Sequence, residues 1–165
     1  MVKTFYPIQT SFSILGYFSQ STTFDYNSPR TEEMPVAPIG VYGVTKAGGE
    51  KAVQENTEKF YILRTAWLYG WAGKNFVYTM IRAMNTHESV KVVNDQKGTP
   101  TFAGDLAKVI LQIIDDKTVS YGTYHVTDIG EITWWDFTNE IKKQGIEKGL
   151  VTRVIIKSCG LAKIV

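Results

Sequence analysis

Residues 42–65 read YGVTKAGGEKAVQENTEKFYILRT, and the change of pattern along this stretch decides the fold class. Its first part, residues 42–57, carries the helix formers Lys, Ala, Glu and Gln. Gly48 and Gly49 interrupt that run at roughly 1 kcal/mol each relative to alanine, a cost that suits a helix whose backbone something approaches closely. Its last part, Phe60-Tyr61-Ile62-Leu63-Arg64-Thr65, is a compact apolar run and predicts a buried strand.

Further along the chain the alternation repeats. Ala66 to Gly70 ends the strand, and Asn75 predicts the cap of a helix whose apolar side runs Phe76, Met80, Ala83 and Met84. Val90 to Val93 predicts a second strand. Asn94 to Thr101 reads as a turn-rich loop punctuated by Gly98 and Pro100. A helix is expected from about Gly104 to Asp116 with Ala107, Ile110, Leu111 and Ile114 at helical spacing, then a turn at Tyr121-Gly122 and a third strand from Thr123 to Thr127. Thr133 with Asp136 has the spacing of a capping box and opens a helix bearing Trp134, Phe137 and Ile141 on one side. Val151 to Lys157 is an apolar strand candidate. Strands alternating with helices predict an α/β chain with a parallel or mixed sheet.

Toward the start of the chain the pattern is weaker. Phe12, Ile14, Leu15, Tyr17 and Phe18 suit a short buried strand. Pro29, Pro35 and Pro38, three of the five prolines, predict a long surface loop leading into Tyr42.

Composition bounds the function classes. The 165 residues suit one domain, and 44% hydrophobic with 21% charged residues is ordinary for a globular chain. A net charge of +2, with scattered lysines and arginines, gives no argument for nucleic acid or an anionic membrane. One cysteine, Cys159, and two histidines exclude an intrachain disulfide and a Cys/His zinc site. That fits a reducing cytoplasm. No apolar run approaches a membrane span, and no signal peptide is expected at the start.

The candidate chemistry sits on the first helix. Tyr42 and Lys46 are four residues apart, so a helix puts them one turn apart on one face. An ammonium beside a phenol favours the phenolate, and a phenol so placed can hand a proton to a carbonyl oxygen while hydride arrives at the carbon. The pair alone is equally compatible with an amphipathic helix and an exposed lysine.

The surrounding residues narrow the reading. Y-G-V-T-K-A-G-G-E at 42–50 resembles the active-site helix of the extended short-chain dehydrogenase/reductases. Together with R-T-A-W-L-Y-G at 64–70, G-K-N-F at 73–76 and D-Q-K-G-T-P-T at 95–101, the chain resembles the dTDP-4-dehydrorhamnose reductase family over about residues 21–145. Tyr124 to Thr127 and Trp134 to Phe137 resemble that family's later elements. The resemblance implies NADPH- or NADH-dependent reduction of the 4-keto group of a dTDP-6-deoxyhexose, giving dTDP-L-rhamnose, in the cytoplasm. It makes Tyr42 the proton donor and Lys46 the ribose anchor, and allows a magnesium ion and a homodimer.

For the substrate, the resemblance implies Thr65, Trp67, Asn75, Gln96, Gly98 and Thr101. Alternatives stay open: Trp67 as core packing, Thr65 as the end of the strand, and the loop holding Gln96, Gly98 and Thr101 as a plain turn. The family's third catalytic hydroxyl falls at Thr22 with a two-residue deletion or at Gln20 without one; Thr22 is preferred. His87 and His125 receive no role.

The family's glycine-rich fingerprint does not precede residue 42 here. The expectation is therefore a partial Rossmann-like, doubly wound fold without its N-terminal glycine-rich βαβ unit, joined to a small α/β substrate-binding part. Residues 1–20 are an unassigned lead-in, 21–147 the reductase-like region and 148–165 a divergent tail. Such a chain is expected to be inactive or nearly so alone, and to expose an unpaired strand edge that invites self-association. Two rivals are a non-catalytic regulatory subunit of the same fold and a nucleotide-sugar epimerase or dehydratase.

Overall fold

The computed structural model describes residues 31–38, 40–152 and 154–160 in full and the backbone of residues 11–16. In chain order the elements are β1 (Ser11–Gly16), α1 (Val41–Asn56), β2 (Phe60–Thr65), β3 (Leu68–Tyr69), α2 (Phe76–Thr86), β4 (Ser89–Val93) and β5 (Lys97–Gly98). They continue with β6 (Thr101–Phe102), α3 (Ala103–Asp115), β7 (Gly122–His125), β8 (Ile132–Thr133), α4 (Trp134–Glu147) and β9 (Ile155–Cys159). The chain divides into two compact units: residues 1–65 with 109–126, and residues 66–108 with 127–165.

The first unit is built on a parallel sheet of order β1-β2-β7. Tyr61 in the central strand faces Phe12 on one side and Gly122 on the other. A strand with ladders on both sides and a covering helix reads as a continuous apolar run, and Ile62 and Leu63 are fully buried. Each such side chain contributes about 1.5–3 kcal/mol of transfer free energy. The expected strand at 60–65 therefore stands as read. Of the early strand, Ser11–Gly16 is present, while Tyr17 and Phe18 lie outside the described residues.

Where α1 begins, a Cβ on Gly43 would sit 3.1 Å from that of Pro38, so the proline loop closes against the helix start. The close approach thus falls at Gly43. At Gly48 and Gly49, where the helix cost suggested it, no described residue lies within 4 Å of an added Cβ.

The second unit gathers α2, α4, β3/β6, β4/β9 and β5/β8, the last pair antiparallel. Trp67, Met84, Phe137, Ile141, Val151 and Val154 form its core. Asn75 caps α2, its side chain accepting from the backbone N–H of Tyr78 at 3.3 Å. Thr133 and Asp136 cap α4 reciprocally, as their spacing predicts.

Three expectations change. The inward face of α3 is Leu106 and Ile113, with Val109 and Ile110 half-buried, whereas Leu111 and Ile114 are exposed. Residues 103–114 carry apolar side chains almost all round, so periodicity alone could not choose the stripe. The loop at 94–101 holds β5 and the first residue of β6 instead of turns alone. The last strand starts at Ile155, later than the apolar run beginning at Val151. After α4, Gly149 takes φ +67°, its N–H donates to Ile146 O at 3.0 Å, and Leu150 N–H donates to Gly145 O at 2.7 Å. That pair of bonds is a Schellman stop, and Val151 N–H joins it at Gly145 O.

Candidate active site

Helix α1 begins one residue before Tyr42, so the phenol and Lys46 stand one turn apart as the spacing requires. Lys46 Nζ lies 5.4 Å from the centroid of the Tyr42 ring, within cation–π range. Tyr42 is 52% exposed and Lys46 half-buried. Thr45 turns its hydroxyl inward, donating to Tyr42 O at 2.8 Å. The result is an accessible O–H that donates or accepts beside an ammonium that only donates. This donor set fits the ribose end of a nicotinamide cofactor.

The same face of α1 continues to Glu50, four residues beyond Lys46, and Glu50 is buried. Arg64, near the end of β2, meets it with Nε to Oε1 at 2.9 Å and Nη2 to Oε2 at 2.6 Å. Arg64 Nη1 also donates to Glu32 O at 3.3 Å, and the Glu32 carboxylate accepts from the backbone N–H of His125 at 2.8 Å. That last bond is the main reason the Glu32 carboxyl is held below its ordinary value. Thr65 is buried, and its hydroxyl finds no partner among the described residues.

Within the second unit the structure brings Trp67, Gly98 and Thr101 together. Thr101 N–H donates to Trp67 O at 3.3 Å, and a Cβ on Gly98 would lie 2.6 Å from Trp67 Cε2. Trp67 is 8% exposed, with one indole face covered by Trp134 at a centroid distance of 3.5 Å and 13° between planes. Among the described residues Trp67 is the one non-glycine with positive φ, +47°, a backbone state costing about 1–3 kcal/mol. Thr101 is 1% exposed, and its hydroxyl likewise lacks a partner among the described residues. Gln96 is half-buried beside β5.

Asn75 is committed to structure at both polar atoms: besides the cap, its Nδ2 donates to Gly70 O at 2.9 Å. The loop carrying Gln96 and Gly98 is tied down by Lys97 to Glu131 at 2.9 Å, Thr99 to Gly130 O at 2.6 Å, and Phe102 N–H to Asp128 at 2.8 Å. The Lys97 ammonium is held above its ordinary value mainly by that bond to Glu131. Tyr69, in the same motif as Trp67, has its phenol pushed above 10.0 by burial, then by Asp128 and Asp105. Thr22 and its competitor Gln20 lie outside the described residues.

Sequence reasoning assigned no role to Glu50, Arg64 or Trp134. The signal for Glu50 was present, since it extends the Tyr42–Lys46 face by one more turn. Nothing in the order of residues announced that Arg64 or Trp134 would be its counterpart, or Trp67's.

The family described as the RmlD substrate binding domain matches residues 11–157. The chain belongs to that family. Among its relatives, dTDP-4-dehydrorhamnose reductase of Aggregatibacter actinomycetemcomitans is 36% identical over 148 residues, covering 86% of this chain and 50% of that protein. The solved dTDP-4-dehydrorhamnose reductase of Clostridium acetobutylicum superposes with a TM-score of 0.78 at 39% identity, over 94% of this chain and 51% of that one. The Bacillus anthracis reductase, solved in complex with NADP, gives 0.73 at 38% identity, over 81% and 45%. The chain spans about half the length of the curated relatives it matches.

These matches bear out the α/β, Rossmann-like reading and the family resemblance. Among the described residues no three or more His, Cys, Asp or Glu side chains gather into a group that could hold a metal ion. No described helix is long and apolar enough to cross a membrane.

Proposed function

We propose that this RmlD-domain chain serves the reduction of the 4-keto group of dTDP-4-dehydro-6-deoxy-L-mannose to dTDP-L-rhamnose. The observation that carries the reading is the Tyr42–Lys46 pair, one turn apart on an accessible helix face in a chain of this family. Reducing a ketone places negative charge on its oxygen, and a donor already in place stabilises that charge without reorganisation. Tyr42 donates the proton, an effect worth roughly 10²- to 10⁴-fold in rate. Lys46 holds the ribose hydroxyls of NADPH or NADH, which when bound supplies the hydride. Trp67 and Gly98 meet the sugar, and Thr101, its hydroxyl buried, acts by holding the Trp67 carbonyl through its backbone N–H at 3.3 Å. Thr65 and Gln96 add polar contacts, and Asn75 acts by fixing the start of α2. Cys159 is a free thiol, in keeping with a cytoplasmic enzyme.

Calorimetric titration of the 165-residue chain with dTDP, dTDP-L-rhamnose and NADPH tests this. Binding of the two thymidine nucleotides is expected, and Tyr42→Phe should leave it unchanged while removing any ketone-dependent oxidation of NADPH. Failure of the wild-type chain to bind either thymidine nucleotide would overturn the reading.

A further inference from the structure

We infer that Trp134 is a positioning residue for Trp67, setting which part of that indole a sugar can reach; this rests on the nucleotide-sugar reading above. A bulky residue in the left-handed region persists only where its surroundings over-determine it, and three contacts do so at Trp67. Trp134 stacks on one indole face at 3.5 Å and 13°. Gly98 lies against the indole where no side chain fits, its hypothetical Cβ within 2.9 Å of three indole atoms. Thr101 N–H holds the Trp67 carbonyl at 3.3 Å.

Trp134 is itself rigidly placed. It is the first residue of α4, directly after the Thr133 cap whose hydroxyl accepts from Asp136 N–H at 3.0 Å. Phe76 packs on its ring at 4.4 Å, and the fully buried Thr138 donates to its carbonyl at 2.8 Å. The orientation of α4 is thereby passed through one flat contact to the strained residue. With 8% of Trp67 exposed, a ligand can touch only a small part of the residue, and where the indole presents that part follows from the stack. A leucine at 134 would leave the indole free to tilt, whereas a phenyl ring would keep a flat support.

The test measures, by calorimetry on the whole chain, the ratio of affinities for dTDP-L-rhamnose and dTDP. Simple packing would move both affinities together; positioning moves only the increment due to the sugar. The wild type is expected to bind the nucleotide sugar more tightly. Trp134→Leu should lower that increment roughly tenfold with dTDP affinity unchanged, and Trp134→Phe should restore most of it. Trp134→Met, which fills much of the same space without a flat face, should lose the same increment and decides the matter if Trp134→Leu does not fold. An increment that survives Trp134→Leu, or survives Trp134→Met where the first variant cannot be measured, overturns the inference. So does a parallel fall in both affinities. If the wild type binds neither nucleotide, the nucleotide-sugar reading falls and takes this with it. If it binds both but Trp67→Ala keeps the increment, only the contact at Trp67 is wrong, and the positioning role ends there.

Discussion

Arg64 and Glu50 form a buried two-pronged ion pair, 2.9 and 2.6 Å between its atoms, joining the end of β2 to the helix face that carries Tyr42 and Lys46. Their side chains are 11% and 4% exposed, so neither charge is hydrated once its partner is gone. Breaking such a pair by removing one member costs about 3–5 kcal/mol, while replacing both with apolar groups is often close to neutral. Glu50→Ala and Arg64→Ala are each expected to lower the urea midpoint by that order, and Glu50→Leu with Arg64→Met by clearly less. In a double-mutant cycle with Glu50→Leu and Arg64→Met as the singles, a double-variant loss equal to the sum of the two single losses would show that the pair does not act as a unit.

The cap of α4 is a second point of leverage. Thr133 accepts from Asp136 N–H at 3.0 Å, and Asp136 accepts from Thr133 N–H at 2.9 Å and from its hydroxyl. Thr133→Ala removes the cap and should destabilise by about 1 kcal/mol. A denaturation midpoint indistinguishable from wild type would mean the box is formed but contributes nothing.

The same box gives a pH dependence. The Thr133 hydroxyl, then its N–H, hold the Asp136 carboxyl below the ordinary value of 3.8. A depressed carboxyl binds fewer protons folded than unfolded, so its contribution is present above pH 3.8 and is lost as pH falls through the lower folded value. Melting temperatures of wild type and Asp136→Asn, compared from about pH 5 down to about pH 2, should converge as the solution is acidified. A constant gap between the two curves would rule this linkage out.

Gly145 lies inside α4, where alanine would ordinarily gain about 0.5–1 kcal/mol. Here a Cβ would lie 2.6 Å from Val151 Cγ2 and 3.1 Å from its Cβ. Val151 is β-branched and cannot turn aside easily, and overpacking costs about 1–3 kcal/mol. The clash should win, so Gly145→Ala is expected to lower the unfolding free energy; a stabilised variant would show that the segment after the Schellman stop yields.

What could be read from the order of residues was local. The strand at Phe60–Thr65, the Asn75 cap, the Thr133–Asp136 box and the Tyr42–Lys46 face each depend on residues within a turn or a strand of one another, and each appears as read. Where local pattern was degenerate it misled. On α3, apolar residues on nearly every side left the buried stripe to be chosen by packing. After α4, an apolar run beginning at Val151 was taken up first by a helix stop and only then by the ladder to β4.

The sequence by itself therefore determined the α/β class, the family and the helix that carries Tyr42 and Lys46 on one face, because these follow from short-range spacing and motif chemistry. Only the tertiary structure decided that Glu50 is held by Arg64, fourteen residues on, and that the Trp67 indole lies under Trp134 and against Gly98. It also placed Asn75 in structural work at both ends of its amide. Such partners are chosen by which surfaces exclude water together, and that is settled when distant parts of the chain meet in the core.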